Sequence, residues 1–201
     1  MEKEFIKDIE RILSQEIREQ SHAGDLAFLS LTSKIELNFR DRIAVSLFQK
    51  YSKSYKISRE YKRCDLAILD NENNLVLVIE FKACYSFDFI KKNKSKEYIQ
   101  AIEKDMKKSQ INFPGIPMYS VLFMTHPKLP IPSDQINIIK YRGGINKHLK
   151  DHTEIAIKSN AVSKLKKRFK VIENSVIIEN DEAFNIPVDI LYALIKFEHQ
   201  A

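Results

Sequence analysis

The sequence predicts an α/β fold in which helices cover one mixed β-sheet. Three observations carry this. Two amphipathic segments with helical spacing open the chain. Three short stretches of strand period follow between residues 55 and 82. A basic amphipathic segment then leads into a run that is apolar on both faces, Met118–Met124. An order of helix, helix, strands, helix, strand places helices against a sheet.

Taken in chain order, residues 3–20 set Phe5, Ile6, Ile9, Ile12, Leu13 and Ile17 on one helical stripe. Residues 21–32 read as a connection. Ser33 and Glu36 have the spacing of a capping box and predict a second helix from Ser33 to near Tyr51, with Ile35, Phe39, Ile43, Leu47 and Phe48 on one face. Tyr55, Ile57 and Arg59 then mark a first strand. Arg63–Asp70 and Leu75–Lys82 mark two more, separated by Asn71-Glu72-Asn73-Asn74, where Asn tolerates left-handed backbone. A helix over about Ser95–Ser109 turns Tyr98, Ile99, Ile102 and Met106 inward. Residues 126–134 read as a Pro-rich loop. Gln135–Lys140 and Glu154–Lys158 predict short strands, Tyr141–Gly144 a loop, and Ser163–Phe169 a short basic helix. Ser175–Glu179 reads as an edge strand. Asn185 with Pro187 just inside reads as the start of a final helix to about His199.

The 201 residues and 44% hydrophobic content suffice for one buried core, so a single domain over 1–201 is expected. No apolar run reaches the roughly 18 residues of a membrane span, and the charged start MEKEFIKDIERIL lacks the apolar core of a signal peptide, which points to the cytoplasm and away from a membrane partner. Cys64 and Cys84 then read as reduced packing residues rather than a disulfide or a zinc site. A net charge of +6 favours a polyanionic partner, nucleic acid first. The five histidines have no metal-ligand spacing, and a lone Gly143-Gly144 is no phosphate loop.

The informative segment is 63–82. A turn centred on Glu72-Asn73 sets an antiparallel register that pairs Asp70 with Leu75, Ala67 with Val78 and Asp65 with Glu80. Opposed side chains lie about 5 Å apart on one face, and Lys82, two residues beyond Glu80, shares that face. Both faces of the hairpin are otherwise apolar, so it reads as central and covered. Two carboxylates side by side in such a place repel each other and resist desolvation, and a divalent cation between them relieves both. Mg²⁺ takes hard oxygen ligands, one or two carboxylates plus waters and a substrate phosphate, which suits phosphodiester hydrolysis, with a lysine to orient water or offset developing charge. The competing reading is a structural ion pair between Asp65 and Lys82, with Glu80 solvated near a strand end.

Asp65 followed by Glu80-Phe81-Lys82 resembles the signature of the PD-(D/E)XK nuclease superfamily, the fold of restriction endonucleases and Holliday-junction resolvases. The likeness covers about residues 33–124, with Cys64 where the motif name has Pro. It implies a restriction endonuclease-like αβββαβ core with a central mixed sheet flanked by helices, the N-terminal helix and C-terminal part being additions. It also implies a metal-dependent endonuclease acting on DNA in restriction, repair or mobile-element roles. Asp65 and Glu80 would bind Mg²⁺, with Mn²⁺ able to substitute, and Lys82 would assist the nucleophile. Many members carry a further Glu on the preceding helix. Glu36 is the candidate here, against roles as the partner of Ser33 in a cap or of Arg40 one turn on.

Lys91, Lys92, Lys94, Lys104, Lys107 and Lys108, and the second cluster Lys166, Lys167 and Arg168, read either as contacts to a nucleic-acid backbone or as solvated helix faces balanced by Glu97, Glu103 and Asp105. Asp105 falls beside the inward stripe, where a polar contact near the site is expected. A homodimer would let one site cut each strand. The alternative function is a catalytically silent nucleic-acid-binding or assembly subunit with the same fold.

Overall fold

The structure is a computed structural model, and it describes residues 1–19, 21–135, 137–139 and 142–197. Helix α1 (Glu2–Arg11) runs through one widened turn, Ile12–Glu16, into the short α2 (Ile17–Glu19). The predicted stripe holds along all three pieces: Phe5, Ile9, Ile12, Leu13 and Ile17 are buried. Helices α3 (Asp25–Thr32) and α4 (Glu36–Tyr51) follow. The strands are β1 (Tyr55–Tyr61), β2 (Cys64–Asp70) and β3 (Leu75–Tyr85), then α5 (Lys92–Asn112) and β4 (Met118–Pro127), then α6 (Arg142–Asp151), α7 (Glu154–Arg168), β5 (Lys170–Ala183) and β6 (Ile186–Lys196).

The six strands form one mixed sheet in the order β1-β2-β3-β4-β6-β5. Among the described residues only β3 and β4 pair in parallel, and α5 supplies the crossover that a parallel pair requires. One face buries Leu66, Ile68, Leu77, Ile79, Val121, Phe123, Ile190 and Tyr192 beneath α1, α3 and α4. The other buries Ala67, Val78, Leu122, Ala193 and Ile195 beneath α5 and α7, which contribute Ile102, Ala161 and Leu165. No described helix is long and apolar enough to cross a membrane.

Several expectations are corrected. Residues 21–32 are not a plain connection, because α3 occupies most of them. Its N-terminus is capped from across the molecule: the Asp181 carboxylate on β5 accepts the Gly24 and Ala27 N–H groups at 2.7 and 2.8 Å. A helix start made by a distant strand leaves no local signal. Ser33 ends α3 instead of starting α4. It is extended, and its hydroxyl donates to the Leu29 carbonyl at 3.0 Å. Residues 154–158 are the first turns of α7, and its cap is Thr153, whose hydroxyl accepts the Ala156 N–H. Gly143 and Gly144 lie within α6 rather than a loop, and Tyr141 is outside the described residues. Ser133–Gln135 is a short 3₁₀ turn and 137–139 is turn, so no strand forms there among the described residues. The final segment is a strand, not a helix. Asn185 is the second residue of a two-residue hairpin turn, with φ of 57° at Phe184 and 59° at Asn185. The run IPVDILYALIK is buried on both faces, so it carries no period to separate helix from strand. Residues 198–201, where that helix was to end, lie outside the described residues.

Gly24 has a role that another residue cannot take. Its φ is +86°, and a Cβ there would stand 2.8 Å from the Glu182 carbonyl oxygen. Gly24→Ala is expected to cost about 3 kcal/mol through left-handed strain plus backbone displacement, lowering Tm by about 6–12 °C. Differential scanning calorimetry checks this; an unchanged Tm would show that the α3–β5 junction is free to move.

Candidate functional site

The hairpin register places the three motif residues. Leu66 pairs with Ile79, Ala67 with Val78 and Ile68 with Leu77, as predicted. The turn end differs: a bulge after Ile68 pairs Leu69 with Leu75, and Asp70 instead closes the turn by accepting the Glu72 and Asn74 N–H groups. At the other end the ladder stops at Leu66. One position further on, where the same register continued would bring Asp65 opposite Glu80, the Asp65 carboxylate reaches across and accepts the Phe81 N–H at 2.7 Å. A side chain thereby takes the donor that a backbone carbonyl would otherwise satisfy.

Glu80 is 4% exposed. Burial, then the adjacent charges of Asp65 and Asp105, push its carboxyl up to about 8. The Ser109 hydroxyl on α5 donates to Glu80 Oε1 at 3.2 Å, which favours the ionised form. The neighbouring Cys64 thiol is pushed up to about 12, mainly by burial and then by Glu80. Lys82 pairs with Asp105 on α5, not with Asp65. The competing sequence reading, a structural Asp65–Lys82 pair with a solvated Glu80, therefore does not describe this site.

Glu36 is the first residue of α4. Burial raises its carboxyl above the ordinary range against the pull of Lys34 and Lys82, and Asp65 raises it further. Its Oε2 is buried without a hydrogen-bond partner, and its nearest cation is Lys34 at 3.9 Å. Neither alternative role survives. Ser33 caps nothing on α4, and Arg40 is taken by Asp41 and Glu60. A cavity of about 150 Å³ is lined by Lys34, Ile35, Ala83, Cys84, Tyr98 and Thr125, among others.

Among the described residues no three His, Cys, Asp or Glu side chains are grouped tightly enough to hold a metal ion. The donor chemistry nevertheless suits a hard cation. Among the described residues neither Asp65 nor Glu80 is in an ion pair, and a third carboxylate, Glu36, within electrostatic reach of Asp65, has an orphaned oxygen.

The two basic clusters, far apart in sequence, share one side of the sheet. Lys91 precedes α5, Lys92 and Lys94 are in its first turn, and Lys104, Lys107 and Lys108 are further along. Lys166, Lys167 and Arg168 end α7 beside it, and Arg168 pairs with Glu103 across the two helices. Lys94 is held by Glu97 at 2.7 Å, and Lys108 donates to the Arg63 carbonyl at 2.8 Å. Lys92, Lys104, Lys107, Lys166 and Lys167 are exposed.

Ser109 was not anticipated. Its signal was present: Ile102, Asp105 and Ser109 lie at helical spacing, so two polar residues occupy an inward stripe and need a polar object to face. A cleft of about 770 Å³ lined by Lys128, Asn146, Lys150, His152 and Glu154, among others, shares no residue with this site. Compared with protein-family models, curated proteins and solved structures, the chain finds no match.

Proposed function

We propose that the chain is a metal-dependent nuclease of the PD-(D/E)XK type with a restriction endonuclease-like core, acting on DNA. The observation that carries the reading is the pair Asp65 and Glu80, neighbouring carboxylates on adjacent strands, with Glu80 buried and its proton affinity raised to about 8. The element order from α4 to β4, with the carboxylates on the second and third strands, supports the same reading. Mg²⁺ or Mn²⁺ would be held by Asp65 and Glu80, with Glu36 as an outer carboxylate, and would supply Lewis acidity and a more acidic bound water. The residues of the chain do the rest. Ser109 fixes the Glu80 carboxyl. Asp105 holds the Lys82 ammonium beside the reacting phosphate, where it offsets developing charge. The exposed lysines of α5 and α7 bind phosphates flanking the cut.

One observation favours the second reading, a silent nucleic-acid-binding subunit: Lys82 is already paired and the carboxylates form no group of three. Incubating the protein with supercoiled, linear and single-stranded DNA in Mg²⁺, Mn²⁺ or chelator separates the two. Cleavage that needs the metal is expected. Salt-sensitive binding with no cut in any substrate would establish the silent subunit instead.

A further inference from the structure

The turn between β1 and β2 is built against the preferences of its own residues. Tyr61 pairs with Cys64, which leaves Lys62 and Arg63 as a two-residue turn with φ of 49° and 71°. Turns with positive φ at both positions favour Asn-Gly or Asp-Gly, because the Cβ of other L residues crowds the backbone there. Glu60, with φ of 58°, adds a third such residue two positions before Lys62. The chain has a second turn of this kind, Phe184-Asn185. That one keeps an Asn, and its Phe184 ring lies 5.8 Å from the Phe28 ring, so the side chain has packing to offset the strain.

Lys62 and Arg63 have no such compensation. Both are exposed. Lys62 lies over the Tyr61 ring at 5.3 Å, and among the described residues no carboxylate pairs with either side chain. The surroundings hold the strained backbone in place. Lys108 donates to the Arg63 carbonyl at 2.8 Å, Cys64 Sγ donates to the Tyr61 carbonyl at 2.8 Å, and the Tyr61 ring stacks on Phe113 at 6.3 Å. Strain that is pinned by neighbours and coupled to exposed charge marks a functional position more than a folding device. The position is specific. Arg63 stands two residues before Asp65, at the end of the hairpin that carries Glu80, and Lys104 lies one helical turn before Lys108 on α5.

We propose that Lys62 and Arg63 form a phosphate-gripping turn, which holds the backbone of a nucleic acid next to Asp65 and Glu80. Arg63 offers two parallel N–H donors to one phosphate and Lys62 a point charge to the next. Lys108 keeps the turn in the presenting conformation. The proposal rests on the nuclease reading and adds a contact to it.

The test is the double variant Lys62→Asn/Arg63→Gly, which installs the residues that such a turn prefers. Labelled duplex and single-stranded DNA are titrated in chelator between about 50 and 200 mM salt. The variant is expected to melt roughly 3–6 °C higher, since strain is removed. It is also expected to bind at least about 10-fold more weakly, with a slope of log affinity against log salt shallower by about 1–2. Unchanged affinity and slope overturn the proposal, and metal-dependent cleavage by the parent protein, assayed in parallel with Mg²⁺ in place of chelator, leaves the nuclease reading standing. A drop in both Tm and affinity makes the turn structural and also overturns it. A parent protein that neither binds nor cuts DNA removes both readings.

Discussion

Glu80→Gln is expected to reduce DNA cleavage by about 10³-fold, the equivalent of several kcal/mol of metal-derived transition-state stabilisation, without lowering Tm. The two halves of this result test different parts of the site. Glu80 is buried against Asp65 and Asp105 with a proton affinity raised to about 8, so the fold already tolerates a neutral group there. Glutamine has nearly the same shape, and its Oε1 still accepts the Ser109 hydroxyl now 3.2 Å from Glu80. It keeps the position neutral beside Asp65 and Asp105, as the raised proton affinity of Glu80 already favours, so stability holds. It also removes the anionic oxygen that a divalent cation needs. Single-turnover cleavage of plasmid DNA in Mg²⁺, with calorimetry on the same sample, reads both. Full activity in the variant would sink the site assignment. Loss of activity together with a lower Tm would mean that Glu80 holds the fold rather than the chemistry.

The placement of Asp65, Glu80 and Lys82 was legible in the sequence because a β-hairpin translates numbering into geometry. Once the turn at 71–74 was placed, Asp65, Glu80 and Lys82 had to share a face, and the bulge after Ile68 left that end undisturbed. Helix α5 was legible for a similar reason, its inward stripe repeating at helical spacing from Tyr98 to Met106. The elements that were misread share a different property. α3 carries DLAFLSLT and β6 carries IPVDILYALIK, both too uniformly apolar for a period to show. Their ends are set from outside: α3 by the Asp181 carboxylate on β5, and β6 by pairing with β4 on one side and β5 on the other. The same limit applied within the site. The pairing of Lys82 with Asp105 depends on how α5 lies across β3, and nothing in the dipeptide Lys62-Arg63 announces a turn. Local pattern reveals what a strand or helix offers on each face. It does not reveal which distant side chain completes the contact.

His126 supplies the second large effect, on stability rather than catalysis. It sits on β4 at 1% exposure, with the Ser86 hydroxyl 2.7 Å from Nδ1, and its Nε2 is buried without a partner. It is paired in register with Asp189 on β6, but that carboxylate is already engaged by Lys158 and by Lys128 at 3.0 Å. Burial, then the positive charge of Lys158, lowers the imidazole to about 4, against the opposite pull of Glu154 and Asp189. In the unfolded chain the ring titrates near its ordinary value of about 6.5. Above that pH neither state binds the proton, and the stability is fully present. As pH falls from about 6.5 to about 4 the unfolded chain takes up a proton that the fold refuses, so stability drains away, by about 3 kcal/mol at the low end. The depressed carboxylates Asp8 and Asp189 lose their contribution lower, as pH falls below their unfolded value of about 3.8, so the windows separate. Glu36, Glu80 and Asp88, raised, act in the opposite sense. Subtracting urea-unfolding free energies of His126→Gln from those of the parent at each pH cancels these terms. The difference is expected to shrink by about 3 kcal/mol between pH 7 and pH 4. A pH-independent difference, or an imidazole that titrates near 6.5 by NMR in the folded protein, would show that water or a counter-ion reaches Nε2.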